Sequence, residues 1–377
     1  MTYIVHYGTL RTGSDISVLP ASSCTFGDEL RGLGSFSAAV AAGQCGDGAL
    51  LQATRGALTF WAVEWAGDFG RRIVAAGPIF PRTATDDGLT FGGGNLTSML
   101  AHRLLIDPAW SDAQISATWL AWYNLDLGSI MAAIVARVCS TPPGDLPIVY
   151  EASRAGINTR TYYGYDMAYA AARITELANV DGGPDYLFMP RFKGGNTTGV
   201  DFTHLEWVLT TGTDAAPTLT QSGPPLVLDA GAPNQQTIGA VTIAEDAANL
   251  ATHAFNAGGG TEVAKVVASA VDTLRTNLGY PRLDVVGTSN ALDRPTVAAY
   301  ARGLLSRTKQ TPSAVTVVVR ASWWWAQGAQ VGTTVRLLIP RHPVFGPVDL
   351  TSRVLKWGGD IDSEWVTLTL ADSLTEI

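Results

Sequence analysis

Short runs of β-branched and aromatic residues, cut about every 10 to 15 positions by turn residues, fill both ends of the chain, and this punctuation commits those ends to sheets. In the first 107 residues the expected strands are 3–7, 16–20, 35–40, 59–65 and 72–80, with a short helix starting near Asn95. In residues 311–377 they are 314–320, 331–340, 351–357 and 364–371. The last two flank Gly358-Gly359-Asp360-Ile361-Asp362, as the arms of a hairpin would. Strands this short and this regularly broken suit a barrel or a sandwich.

The middle reads differently. Residues 111–122, 127–138 and 165–179 carry helical spacing, and in the last of these Met167, Ala170, Ile174, Leu177 and Ala178 share a face. Gly182-Gly183-Pro184 stops that helix, and a strand follows at 185–189. Further on, 205–209, 237–243 and 262–268 read as strands, and residues 211–236 form a connection rich in Pro, Thr, Gly and Ala. Residues 296–309 read as a helix with Asp293 as N-cap and Pro295 in its first turn. The expected fold is therefore multidomain and mainly β with an α+β middle. Two small β-barrel-like domains at 1–107 and 311–377 flank a helix-rich α+β domain at 108–200 and a mixed α/β domain at 201–310.

Composition narrows the function. The 377 residues are 46% hydrophobic, enough for a sizeable core, and only 15% charged, against about 25% in an average soluble chain. That excludes intrinsic disorder. It also implies that much of the surface is hidden, oligomeric contact being one way to do so. The 33 acidic and 25 basic residues give a net charge of −8, and the basic ones are not clustered, which argues against a dedicated nucleic-acid binder. Cys24, Cys45 and Cys139 are odd in number and fit no metal spacing, so buried free thiols are expected. The N-terminus lacks the basic and apolar stretches of a signal peptide. The most apolar window, 115–139, is broken by Asn124, Asp126 and Arg137, so no membrane span is expected and synthesis is placed in the cytoplasm.

No constellation of residues points to catalysis. Gly92-Gly93-Gly94 precedes a helix but lacks the Gly-Lys-Ser/Thr ending of a phosphate loop, and reads as a tight turn or close packing. Gly287-Thr288-Ser289-Asn290-Ala291 misses the final glycine of a nucleophile elbow, leaving Ser289 a turn or capping residue. His6, His102, His204, His253 and His342 show no metal-binding pair, and Asp86-Asp87 and Asp360/Asp362 lie beside Gly and read as solvated turn carboxylates. No catalytic residue, cofactor or metal is expected. Of the 11 Trp, Trp61, Trp65, Trp110, Trp119, Trp122, Trp207 and Trp357 lie in apolar patterns and read as core. Trp323, Trp324 and Trp325 differ. On one strand the sides alternate, so at least one indole projects outward, toward another chain, another domain or a ligand. They are the candidate interface.

An ordered set of landmarks resembles one family. It opens with residues 18–37, where Leu19-Pro20 leads through Phe26 to Glu29-Leu30-Arg31-Gly32-Leu33-Gly34-Ser35-Phe36-Ser37. Arg71-Arg72-Ile73-Val74-Ala75-Ala76-Gly77-Pro78-Ile79 follows, then the Gly-rich helix start at 92–105. Gly182-Gly183-Pro184-Asp185-Tyr186, Leu278-Gly279-Tyr280-Pro281, residues 293–304 and the final hairpin complete it. Together they resemble the tail-tip (baseplate) hub proteins, or minor tail proteins, of long-tailed phages, especially those of actinobacteria. One detail departs: Gly332 is followed by Thr333, where the family usually has an acidic residue.

The resemblance implies a homotrimer in which each chain gives two small barrels to a ring that imitates six-fold symmetry. Such a ring joins the six-fold tail tube to three-fold tip proteins. It implies a distal tail protein and a tape-measure protein above, other tip or receptor-binding proteins below, and DNA passing through the lumen without specific binding. The location implied is the virion tail tip, and no catalysis is implied. Two alternatives stand beside it: a tail-borne cell-wall or polysaccharide hydrolase, and a carbohydrate-binding module using the Trp cluster.

Overall fold

In the computed structural model, residues 2–371 are described, except 69, 194–202, 222, 232–236, 246, 309–312, 343 and 345. The described chain is mainly β, with several sheets. Its largest sheet has 13 strands and draws on both ends of the sequence. Along it run Ile238–Glu245, Ser313–Arg320, Trp365–Leu370, Val348–Asp360, Ser23–Glu29, Ser35–Ala41, Gly88–Gly93, Gly70–Thr85, Thr59–Gly67, Thr2–Thr9 and Ser17–Val18. Thr334–Ile339 branches off Val348–Asp360 and carries the parallel strand Leu226–Asp229.

The junction between the two ends is antiparallel, with Lys356 opposite Glu29 and Asp360 opposite Thr25. Among the described residues the path is open, and the expected hairpin lies inside it, between Ser313–Arg320 and Ser23–Glu29, pairing Gly359 with Val366. One apolar core runs beneath it. Trp61, Trp65 and Phe26 from the N-terminal strands and Val317, Leu337, Trp357 and Leu368 from the C-terminal ones belong to the same cluster.

A second core surrounds the helix Leu127–Cys139, whose start is fixed by Asp126 Oδ1 accepting from the Ser129 amide at 2.7 Å. Ile130 and Ile134 of that helix share the cluster with Ile174 and Leu177 of the helix Ala170–Ala178 and with Trp207 of the strand His204–Thr211. That strand lies between Tyr186–Lys193 and Ile148–Tyr150 in a three-stranded sheet. A separate sheet of Val267–Val271, His253–Ala257 and Asp284–Thr288 is backed by the helix Arg294–Thr308, and Thr296 donates to Asp293 Oδ1 as its expected cap.

Several sequence expectations are corrected. Residues 111–122 are helical only over Asp112–Ala117, started by a Ser111–Gln114 capping box. Thr118 then turns extended, and Trp119–Leu125 is a strand paired with Asn158–Tyr163, the aromatic residues following their β preference. The helix expected from 165 starts at Ala170, because Met167 takes a left-handed conformation at φ 46°. Residues 262–268 divide into a helical turn, Glu262–Ala264, and the start of a strand. Strands Ser23–Glu29 and Gly88–Gly93 were not expected. The domain limits at 200/201 and 310/311, and Lys309, lie outside the described residues.

Candidate assembly interface

The Trp run is not on a strand. Ser313–Arg320 ends at an extended Arg320, and the chain turns directly into the helix Ala321–Ala326. Side chains on a helix step by about 100° per residue instead of alternating, so neighbouring indoles can share a face. Trp324 and Trp325 are buried, and Trp323 is half-buried against the same core. This corrects the alternating-side argument, and it removes Trp324 and Trp325 as an exposed sugar platform.

What these indoles join is the two ends of the chain. Trp325 Nε1 donates to the Tyr3 hydroxyl at 2.8 Å. The Trp325 ring meets Trp357 edge-on at 4.9 Å, Trp357 meets Phe26 at 5.8 Å, and Phe26 meets Tyr3 at 5.2 Å. The circuit is closed, each contact in the edge-to-face geometry aromatic rings prefer. Burial pushes the Tyr3 hydroxyl up to about 12, against the pull of its Trp325 bond, so it stays neutral. Arg72 caps the group, its guanidinium carbon 5.8 Å from the Trp325 ring centre and Nη1 donating to the Trp325 carbonyl at 3.3 Å.

A second junction centres on Asp185, whose side chain is 1% exposed. Its Oδ1 accepts from Arg31 Nε at 2.6 Å; its Oδ2 accepts from Arg353 Nη1 at 2.6 Å and from the Leu219 amide at 2.9 Å. Arg31, in a left-handed turn at φ 61°, also donates to the carbonyls of Ala178 and Gly183. Both junctions escape sequence reading, since their partners lie far apart in the chain. The only signal for the second was that Asp185 ended a Gly-Gly-Pro turn.

The remaining flagged residues have structural settings. A Cβ on Gly92 would meet the Pro81 ring, one on Gly93 the Pro78 carbonyl and one on Gly94 the Leu33 carbonyl, so that stretch serves close packing. Ser289 Oγ accepts from Asn256 at 2.8 Å. Asp86-Asp87 lies in an exposed turn, and Asp360 accepts from the Asp362 amide. Cys24 and Cys139 are buried free thiols, pushed up by burial to about 12 and about 11, while Cys45 is half-buried.

His6 bonds the fully buried Glu64 at 2.8 Å, and Arg71 clamps the same carboxylate. Burial pushes Glu64 up, but the His6 and Arg71 bonds outweigh it and hold the group below its ordinary range. Asp28 goes the other way: burial raises it to about 6, against hydrogen bonds from Asn95 Nδ2 at 2.8 Å and the Glu29 amide at 2.9 Å. No group of three potential metal ligands occurs among the described residues. Asp28 lines a void of about 30 Å³ beside Arg72 and Trp357, with no second carboxylate on its wall. No described helix is long and apolar enough to cross a membrane.

Two apolar faces lie open. On the two-stranded sheet the outward positions are Trp119, Ala121 and Tyr123, opposite Thr161 and Tyr163. Trp119 is 53% exposed, which corrects its assignment to the core. Its ring stands 6.1 Å from Tyr163, which stacks on Tyr165 at 5.0 Å. Trp110 and Trp122 are half-buried, and Trp61, Trp65, Trp207 and Trp357 are buried as expected. The second open face is the side of the Val267–Val271 sheet turned away from its helix, carrying Phe255, Val267, Val271 and Val286.

The fold has solved counterparts. It is similar to a 43 kDa tail protein of prophage MuSo2 from Shewanella oneidensis, with a TM-score of 0.56 and 13% identity over 98% of both chains. It is also similar to a tail protein from Neisseria meningitidis MC58, with a TM-score of 0.55 and 14% identity over 98% of this chain and 96% of that one. No protein-family model matches the sequence, and no curated protein matches it.

Proposed function

We propose that this chain is a structural hub of a phage tail tip. The observation that carries the reading is the fold likeness, which spans nearly the whole of both chains for two tail proteins. The pairing of the N- and C-terminal strands into one sheet supports it, because it sets the two β-rich ends side by side. In this reading those ends are the two tube-like barrel domains, with residues 108–200 and 201–310 as the domains outside them.

Three copies form a ring that joins the six-fold tail tube to three-fold tip proteins and surrounds the DNA exit channel. A distal tail protein and a tape-measure protein lie above, and other tip or receptor-binding proteins below. The net charge of −8 suits a lumen through which DNA slides unheld. The role is assembly and not catalysis, in phages of the kind that infect actinobacteria. Within the Trp run, Trp323 keeps exposed surface, and any contact the run makes with a neighbouring copy is assigned to it. Imaging of assembled particles tests the proposal: three copies in a ring at the tail tip are expected, and any other copy number or position overturns it.

A further inference from the structure

The two open apolar faces differ in shape and lie on different sheets. One carries bulky rings that stand out from a narrow ribbon: Trp119, Tyr123, Tyr163 and Tyr165 are 53%, 59%, 43% and 59% exposed. The other is a flatter surface, with Val267, Val271 and Val286 at 50%, 44% and 69% exposure around Ser269, His253 and the half-buried Phe255. Its middle and one outer strand run parallel, and parallel strands are normally covered on both faces. Here the helix covers one face only.

Neither face carries net charge. The outward ribbon positions are aromatic, Ala or Thr; on the sheet face Asp284 stands beside His253 and pairs with Arg282 at 2.8 Å, and the Arg282 guanidinium lies over the Phe255 ring, 5.6 Å from its centre. Copies of a chain with net charge −8 repel one another over most of their surface, so neutral faces are where they can meet. An aromatic side chain buries roughly 150–250 Å². Four that are about half exposed therefore offer roughly 400 Å², against roughly 800 Å² per partner in a stable interface, the rest being rim.

A closed ring of identical chains needs two different faces on each, one received by the next copy's other face. We propose that the aromatic ribbon of one copy docks on the open Val267–Val271 sheet face of the next, rings against Val267, Val271 and Val286, and that this head-to-tail contact links successive copies through the domains outside the barrels. The inference rests on the ring reading above and names its interface.

Cross-linking of the full-length chain tests it. On a Cys45→Ser background, Thr161→Cys marks the ribbon and Ser269→Cys the sheet face, the two remaining thiols being buried. With a short bis-maleimide at up to millimolar protein, the double variant should give a ladder ending at three chains. Mixing the two single variants should give a dimer and nothing larger, and each single variant alone should give no product. Adding Trp119→Ser and Tyr163→Ser, both at exposed positions, should cut the yield at least tenfold with the circular dichroism spectrum unchanged. Self-cross-linking by either single variant, or no product from the double variant, overturns the proposed contact and leaves the ring to particle imaging. A ladder that stops at another number keeps the contact and overturns the three-fold ring.

Discussion

Arg353 Nη1 lies 2.6 Å from Asp185 Oδ2, joining residues 168 positions apart, and the other oxygen of the same buried carboxylate holds Arg31. One side chain thus ties the N-terminal turn, the middle of the chain and the C-terminal strand. Replacing one member of a buried ion pair strands the others in a dry site, typically at about 3–5 kcal/mol. Asp185→Ala should therefore lower unfolding stability by about that much, while Arg353→Ala, whose side chain is a quarter exposed, should cost less. Denaturant midpoints of the two variants check the order, and equal midpoints would remove Asp185 from the centre of the junction.

The Tyr3–Trp325 bond gives a finer test. Tyr3→Phe keeps the ring contact with Phe26 but leaves the Trp325 indole N–H without its acceptor, a loss of about 1–3 kcal/mol. Trp325→Ala also empties a buried site and should cost about 3–5 kcal/mol. Thermal unfolding of both, with the double variant to measure coupling, checks the expectation.

Asp28 makes stability depend on pH in a definite direction. Its folded value of about 6 lies above the roughly 3.9 of an unfolded Asp. Its contribution is full below about pH 4 and lost as pH rises through 6, since the buried site then holds a charge. Asp28→Asn keeps an acceptor oxygen and cannot ionise. It should raise stability at pH 8 by about 2–3 kcal/mol relative to wild type, with the gain fading toward pH 4. Melting curves of both proteins across that range test the sign, and a constant difference would contradict it.

Two glycines should behave differently. A Cβ at Gly77 would overlap the Gly94 carbonyl, and both partners are backbone, so Gly77→Ala should destabilise by more than about 3 kcal/mol. Gly182 sits at φ 71° with open space around it, and Gly182→Ala should cost about 1–2 kcal/mol from strain alone. Chemical denaturation of the pair separates steric overlap from conformational preference.

The strands most legible in the sequence were Ser35–Ala41, with its clean alternation, and Thr59–Gly67, a run of aromatic and β-branched residues buried at its first seven positions. Ser23–Glu29 was hidden because Gly27 and Asp28 break its pattern, although Phe26 anchors the core. The Trp run was misread because Trp favours strands, and the turn at Arg320 leaves no Gly or Pro to announce it. Ile115, Trp119 and Trp122 mimic a helix face, yet the chain straightens at Thr118. The two junctions were invisible for a different reason. Tyr3 stands 322 residues from Trp325, and Arg31 and Arg353 stand 154 and 168 residues from Asp185, so only the folded topology brings them together.

The pairing of Ser23–Glu29 with Lys356–Asp360 also orders events during synthesis. A ribosome adds about 5–20 residues per second, so the N-terminal strands wait roughly 20–60 s for the segment that completes their edge. Until then Ser23–Glu29 presents an unpaired row of backbone groups, the kind of edge that recruits the wrong strand. For this protein residues 356–360 finish the sheet that residues 25–29 began, and a nascent chain truncated before residue 356 would be left with an adhesive edge.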